Sequence, residues 1–525
     1  MNNYFRSAFS LSARAGAVAF AACLTLAATG VHVQAQHEEH QHKMPVPASS
    51  PAPSTAPQPT PAASPTPADE PMNHTMHDDH ATHDGAMSGM EHSGHDMNAE
   101  GDNSLMLMSG EGMGIRVGAS ASNVMQMGQM GSGTSWQPAS SEMHMTHRQA
   151  GDWLLMLHYE AKIGVNSQGG ARGRTTFESQ NWLMPMAYRK VGRGTLQLRG
   201  MFSLEPLTYP KPGSPLLFQT GETYKGAPIV DAQHPHDLFM ELSAQYTMPL
   251  GERGTWFAYF GYPGEPALGP VAFMHRASAS ENPSAPLTHH LQDSTHISFG
   301  VLTTGFTYRG LKLEGSVFNG REPDEHRYGF EAHPWNSASA RLSFAPNGNW
   351  SAQLSYGYLK NREAFEPGIT RRTTASVSYN KPFDRGHWAT SLIWGRNADA
   401  FIGEPITHTN GYTAESTVNF ADKNYLYTRL ELVDRNELLR PADRATLGIA
   451  EDHPSFRVGA YTFGAARDIW DTDDVSIALG GDFSFYSKPG ALDALYGRNP
   501  TSYKFFVRFR PGKMKGAGHG GHDGH

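Results

Sequence analysis

Thiols are almost missing from this chain. Its one cysteine, Cys23, lies in an apolar leader expected to be cleaved, which leaves no disulfide framework and no thiolate ligand or nucleophile. A chain without cysteine suits the oxidising cell envelope. Long apolar runs are missing as well: past residue 35 no segment offers the ~20 consecutive apolar residues of a spanning helix. Charged residues make up only 18% of the chain, mixed in sign with a formal net charge of -8, which excludes a nucleic-acid surface. A Gly-rich phosphate loop, a His-Glu-x-x-His pair and a Gly-x-Ser-x-Gly elbow are all absent, so the sequence points away from an enzyme. No fixed-period repeat marks it as a solenoid or propeller.

What is present divides the chain into five zones. Arg6 and Arg14, the apolar run Ala15 to Val31 and the small-residue end Val33-Gln34-Ala35 read as a secretory signal over 1–35. A membrane anchor, or a lipoprotein signal at Phe20-Ala21-Ala22-Cys23, are the alternatives. Residues 36–71, dominated by Pro, Ala, Ser and Thr, bury too little surface to offset ordering entropy and read as a linker. Residues 72–148 are dense in Met, His, Gly and Asp and are expected to be a mostly disordered periplasmic segment. A β-barrel is expected over 149–510 and a Gly/His-rich tail over 511–525.

The barrel expectation rests on period-two patterning. Trp350, Ala352, Leu354, Tyr356 and Tyr358 alternate with Ser351, Gln353, Ser355 and Gly357. Leu426, Thr428, Leu430 and Leu432 oppose Arg429 and Glu431; Tyr503, Phe505, Val507 and Phe509 oppose Lys504, Phe506, Arg508 and Arg510. Side chains alternate faces along a strand, so each segment has one apolar and one polar face. Short links at Val191–Gly194, Gly251–Gly254, Gly310, Pro346–Asn349, Asp384–Gly386, Asp422–Asn424 and Trp470–Asp473 alternate with longer ones at 205–235, 263–293, 320–335, 397–410 and 435–454. That alternation is the signature of an all-β, antiparallel outer-membrane barrel, here of about 16 strands. Arg199, Glu241, Glu314, Arg372, Arg429 and Arg508 fall on the polar parity and are expected to line a wet lumen. Trp256, Tyr259, Trp350, Trp388, Trp394, Trp470 and Tyr486 are candidates for the interfacial aromatic girdles. The final strand resembles the aromatic terminal strand that barrel-insertion machinery recognises, making that machinery and outer-membrane lipid the expected partners.

Chemistry is concentrated in the tails. His74, His77, His80 and His83 recur every third residue, His92 and His95 repeat the spacing, and Met76, Met87, Met90 and Met97 are interspersed. His519, His522 and His525 close the chain. Imidazole suits Cu(II), Zn(II) and Ni(II), whereas thioether sulfur favours Cu(I). Both together point to copper in two oxidation states, with zinc or nickel as the other ions the set would take. A flexible segment can close around such an ion and order on binding. A second group, Met106, Met108, Met113, Met125, Met127, Met130, Met143 and Met145 with His144 and His147, adjoins the first strand. It is read equally as metal-binding or as packing against the barrel rim. The long links add Met274-His275, His296, Glu325-His326 and His333, and a further candidate metal set of His234, His236, Asp237, His289 and His290. A loop histidine is more often a hydrogen-bonded loop residue than a ligand, but Asp231 to Asp237 holds two acids and two histidines in seven residues.

A cleaved signal, a leader with Met90-Glu91-His92 and His95-Asp96-Met97, and then a barrel together resemble the copper resistance protein B family, or a sister family of metal-associated barrels. The resemblance implies an outer-membrane protein that handles copper beside periplasmic copper proteins, supporting copper tolerance by sequestration or transport. An ordinary porin-like channel with accessory tails and a structural or adhesive barrel remain the alternatives. Oligomeric state stays open.

Overall fold

The computed structural model describes residues 105–109, 112–119, 122–362 and 367–514. The leader, the linker and the tail ligands His74 to Met97 and His519 to His525 lie outside the described residues.

Sixteen strand positions close into one antiparallel barrel. In chain order they are β1 (Trp153–Gln168), β2 (Thr175–Val191), β3 (Gly194–Phe202), β4 (Phe239–Leu250), β5 (Gly254–Gly261), β6 (Val301–Tyr308), β7 (Leu311–Phe318) and β8 (Ser337–Phe344). They continue with β9 (Trp350–Lys360), β10 (Gly368–Phe383), β11 (Gly386–Phe401), β12 (Thr407–Phe420), β13 (Asn424–Arg435), β14 (Phe456–Asp471), β15 (Ser476–Ser487) and β16 (Thr501–Arg510). Each pairs with its neighbour in sequence, and β16 closes the ring on β1, from Ser502 against Gln168 to Phe509 against Ala161. A further short strand, Met145–Ala150, takes the remaining stretch of the same β1 edge, pairing Met145 with His158 and Ala150 with Trp153.

Alternation sets the two faces. Leu313, Leu354, Leu392, Leu426, Leu479 and Phe505 stand 52% to 63% exposed on the outside, while Lys312, Glu314, Arg372, Arg429 and Arg508 are no more than 2% exposed inside. A belt of exposed leucine and phenylalanine is at home only in lipid, where closure also satisfies every ladder hydrogen bond. No helix among the described residues is long and apolar enough to cross a membrane; strands do the crossing, and the fold is that of an outer-membrane β-barrel. Trp350 and Tyr379 (ring centroids 4.5 Å apart) and Trp388 (5.7 Å from Tyr379) form a stretch of outward girdle near the short-turn end.

Short turns gather at one end and long links at the other. The Arg309-Gly310 turn requires glycine: Gly310 has φ 116°, and an added Cβ would lie 2.3 Å from the Ala345 carbonyl oxygen. Three link assignments change. Trp470 and Asp471 belong to β14, so the turn follows them; the expected 397–410 link shrinks to 402–406 because Asn397 to Phe401 continue β11 against β10; and 169–174, 361–367 and 488–500 join strands as further links. Two girdle candidates also change. Tyr259 points inward to donate to Glu241 Oε1 (2.8 Å) while its neighbour Phe260 faces out, and Tyr486 points inward to Gln168 (3.0 Å).

The lumen is occupied. Residues 262–300 fold into it, with the Ala267 and Gly269 amides donating to Ser316 and Ser355 of the wall (2.7 and 2.9 Å). Wall arginines reach back: Arg341 Nη1 donates to the Gly269 carbonyl (2.9 Å), Arg429 Nη1 to that of Ser284 (2.7 Å), and Arg508 and Arg510 pair with Glu281. The polar parity therefore lines a filled interior rather than the wet lumen expected, because the chain supplies its own partners. The expectation of disorder over 72–148 fails for its described part as well. Strands Met106–Ser109, Gly112–Arg116 and Val124–Gln126 form a small sheet, and the segment runs on along the inner wall. There Thr134 donates to Glu314, Arg199 to the Gly133 carbonyl (2.7 Å) and Asn380 to that of Ser140 (2.7 Å).

Since Leu392 faces lipid at the middle of a long strand, Leu392→Arg is expected to destabilise the folded barrel by about 2–4 kcal/mol. Urea unfolding in bilayers reads this directly, and an unchanged midpoint would place that face elsewhere than in lipid.

Candidate metal centre

Three of the lumen's histidines converge. His234 follows a hairpin of Ser214–Tyr224 and Ala227–Gln233, both strands lying in the long link after β3. His289 and His290 open a single helical turn, His289–Gln292, within the 262–300 insertion. Among the described residues, one ligand nitrogen from each of these three imidazoles lies within 4.8 Å of the others. All three rings are buried, with centroids 5.1 Å apart for His289 and His290 and 5.4 Å for His234 and His290. Metal–nitrogen bonds of ~2.0 Å put tetrahedral nitrogens about 3.3 Å apart, so the rings would close by at most about 1.5 Å around an ion.

Fixed partners orient the rings. His289 Nδ1 lies 2.7 Å from Asp293 Oδ1, an acceptor, which assigns the proton to Nδ1 and leaves Nε2 free to ligate. Asp293 is itself held by Arg276 (3.3 Å) and accepts from the Phe273 amide (3.0 Å), so the orienting carboxylate is anchored in the insertion. His290 is held through its backbone: its carbonyl accepts from Arg372 Nη2 of β10. Both His290 ring nitrogens and His234 Nε2 are buried without a hydrogen-bond partner. Glu222 Oε1 approaches His234 Nε2 to 3.2 Å, and Glu322 Oε2 approaches His290 Nδ1 to 3.4 Å, neither with hydrogen-bonding geometry. An unpartnered buried polar atom costs about 1–3 kcal/mol. Three such nitrogens lie together here.

Electrostatics favour lone pairs there. Burial pushes both imidazoles down, His290 to about 4 and His234 well below the ordinary histidine range, so both are neutral near pH 7. Three imidazoles with nearby carboxylates suit Cu(II) or Zn(II), with positions left for a further ligand.

The other candidates sort themselves around this cluster. His236 lies beyond the triad, with Nδ1 2.7 Å from Glu205 Oε2 and its ring 5.2 Å from His296, whose ring is 5.2 Å from His289. Asp237 is engaged by Arg327 (3.1 Å) and is therefore a partner of that guanidinium rather than a ligand. Asp231 is drawn away to Arg172 (3.2 Å) and Tyr496 (3.2 Å). His326 and His333 sit on the long link 319–336 with Asp324 and Glu331 and stay apart from the triad. His147 is exposed, whereas Met113, Met127 and Met145 are buried inside the barrel, which places most of the second methionine group in the lumen. Sequence reasoning missed Glu222 and Glu322, and also the wall residues His158, Met184 and Met186. The signal for the last three was present: along β2 the polar parity Glu178, Gln180 turns into Trp182, Met184, Met186.

No protein-family model matches the chain, and no curated protein does. Among solved structures, the anion-selective porin from Comamonas acidovorans aligns over 68% of this chain and 99% of its own, at 11% identity and TM-score 0.43. OmpT of Vibrio cholerae aligns over 70% and 100%, at 8% identity and TM-score 0.42. The outer membrane channel DcaP of Acinetobacter baumannii aligns over 69% and 99%, at 8% identity and TM-score 0.41.

Gly221 presses its backbone on the His290 ring: its φ is 125°, and an added Cβ would come within 2.5 to 2.7 Å of three ring atoms. Gly221→Ala is expected to displace that ring and weaken Zn(II) binding by tenfold or more. Calorimetric titration of assembled barrel measures it, and an unchanged affinity would remove His290 from the site.

Proposed function

We propose that this outer-membrane barrel handles copper: ions gathered by its His/Met-rich tails reach a histidine centre in the lumen, and the protein supports copper tolerance by sequestration or guarded passage. The observation that carries the proposal is the buried triad of His234, His289 and His290, with ring nitrogens left without hydrogen-bond partners. Imidazole sets of this kind bind Cu(II) most strongly among the divalent first-row ions, with Zn(II) behind it. His296 and His236 extend the file of imidazoles away from the triad at ring spacings of 5.2 Å. That is close enough for an ion to be handed on by small ring rotations. In this reading the short-turn end, where the described chain both enters and leaves the barrel, faces the periplasm. Periplasmic copper proteins are then the natural donors or acceptors.

A second reading, a channel for small solutes with accessory tails, is favoured by the barrel itself, since sixteen strands enclose room for an aqueous pore. Against it stands the filling. Two interior cavities, one lined by Met184, His158 and His275 and the other by Trp136, Gln245 and Lys312, are only about 90 and 110 Å³. A few waters or an ion would fill either one.

Copper titration of three proteins separates these readings: the mature chain, the chain lacking 72–100 and 515–525, and that shortened chain with His234→Ala and His290→Ala. The copper reading predicts several ions in the first, one tightly held ion in the second and none in the third. Absence of tight copper from the second would leave the triad as a structural cluster and move the function to solute passage.

A further inference from the structure

Below the triad, toward the short-turn end, lies a cavity of different chemistry. Its volume is about 90 Å³, and seven of its twenty-one lining residues are methionines: Met127, Met130, Met143, Met145, Met184, Met186 and Met274. The whole chain holds 23 methionines in 525 residues, so chance would place about one in a set of that size. Three elements deliver them. The inner segment before β1 supplies Met127, Met130, Met143 and Met145, the wall strand β2 supplies Met184 and Met186, and the inserted loop supplies Met274.

Methionine is a common filler of irregular cores, and filling alone would explain a dry apolar cluster. Here the thioethers alternate with imidazoles. On β1, His158 is flanked across the sheet by Met145 on one side and Met184 on the other. From the loop, His275 brings Nε2 to 3.4 Å from Met201 Sδ. The Nδ1 atom of His144 and the indole nitrogen of Trp182 are buried without hydrogen-bond partners. A filler cluster has no use for half-buried imidazoles facing sulfur.

The charges around the cavity narrow its occupant. Glu160 is committed to Lys162, and Glu142 to His387 and Lys513, so neither carboxylate is free to neutralise a dication. Arg199, Arg276 and Arg510 of the lining are likewise held by Glu241, Glu415 and Glu281. A hard or doubly charged ion would meet only neutral donors, with no uncommitted carboxylate to balance it. A soft monovalent ion needs neither carboxylates nor retained water, and thioether with imidazole is its preferred environment.

We infer that this cavity is a second metal site, specific for a soft monovalent d10 cation, Cu(I) or Ag(I), with ligands drawn from Met184, Met186, Met274, His158 and His275 of its lining, and Met201 beside His275. It deepens the copper-handling reading by naming the reduced ion as one form that the lumen accepts. It stands apart from the histidine triad in both donors and position. The ring of His275 is 6.1 Å from that of His158, and the same inserted loop carries His289, His290 and His296, so one insertion serves both sites.

Trp182 supplies a local reporter. Its ring is 4.5 Å from that of His158 and 4.7 Å from that of His275, and the region before residue 105 holds no tryptophan to confuse the signal. Silver, which does not change oxidation state, is added to the full-length protein while tryptophan emission is followed, with copper(II) uptake measured in parallel. The expected result is a saturable change in emission that disappears in Trp182→Phe. It should require at least tenfold more silver in Met184→Leu/Met274→Leu, whose near-equal side-chain volumes preserve the packing. Copper(II) uptake by that variant should match the parent, so loss of the silver site and loss of the triad are read separately. Should the double variant fail to assemble, Met186→Leu with Met201→Leu replaces it. Silver that leaves Trp182 emission unchanged, or that binds the methionine variants as it binds the parent, overturns the inference.

Discussion

Guanidinium groups buried inside the barrel are the constraint on which the rest of the structure depends. Arg341, Arg372, Arg429 and Arg508 project from the wall and are at most 1% exposed. Bringing a charge out of water costs several kcal/mol even after relaxation, and only paired, hydrogen-bonded geometry repays it. The wall supplies part of the pairing, as Glu314 does for Arg341 (2.9 Å). The inserted loop supplies the remainder through Glu281 and the carbonyls of Gly269, Ser284 and His290. Neither partner is stable alone in this arrangement: without the loop the arginines lose acceptors, and without the arginines the loop's carbonyls lose donors.

Function follows from that mutual dependence. A loop held at many points cannot drift, so the imidazoles it carries are placed with the precision of the wall. His289 and His290 sit within one helical turn whose far end, Asp293, is pinned by Arg276, itself bound to Glu415 of β12. His234 comes from a separate link and meets them above the loop. The proposed metal centre therefore lies where independent anchors converge, which lets a cluster with unpartnered nitrogens persist without collapsing onto its own hydrogen bonds. The same anchoring sets Met274 and His275 against the methionines of β2, so two donor sets of different softness share one rigid insertion.

Much of the barrel was legible in the sequence because period-two patterning is a local property. Leu354 against Ser355, or Leu430 against Arg429, declares its face from adjacent residues alone. The turns were equally local, with Gly251 and Gly310 marking reversals. What lies inside the lumen was not legible, because nothing local distinguishes a loop folded inward from one extended into solvent. Ala267, Leu268, Val271 and Phe273 are apolar enough to be buried, but the apolar count does not say against what. Tyr259 and Tyr486 defeated the girdle assignment for a related reason: an aromatic near a strand end belongs to the membrane interface only if its parity faces out. Of the candidate site, His234, His289 and His290 were recognisable as residue types, whereas their convergence depended on two long links meeting in space. Met184 and Met186 carried a readable signal, apolar sulfur on a polar parity, that only the register of β2 against β1 turns into a cavity wall.

The central claim, that the filled lumen holds a copper ion between three imidazoles, is tested most directly by anomalous diffraction at the copper edge from crystals of the copper-loaded protein. The account predicts a peak bounded by His234, His289 and His290, with electron density continuous to their ring nitrogens. Copper bound to the protein with no peak between those rings would contradict it.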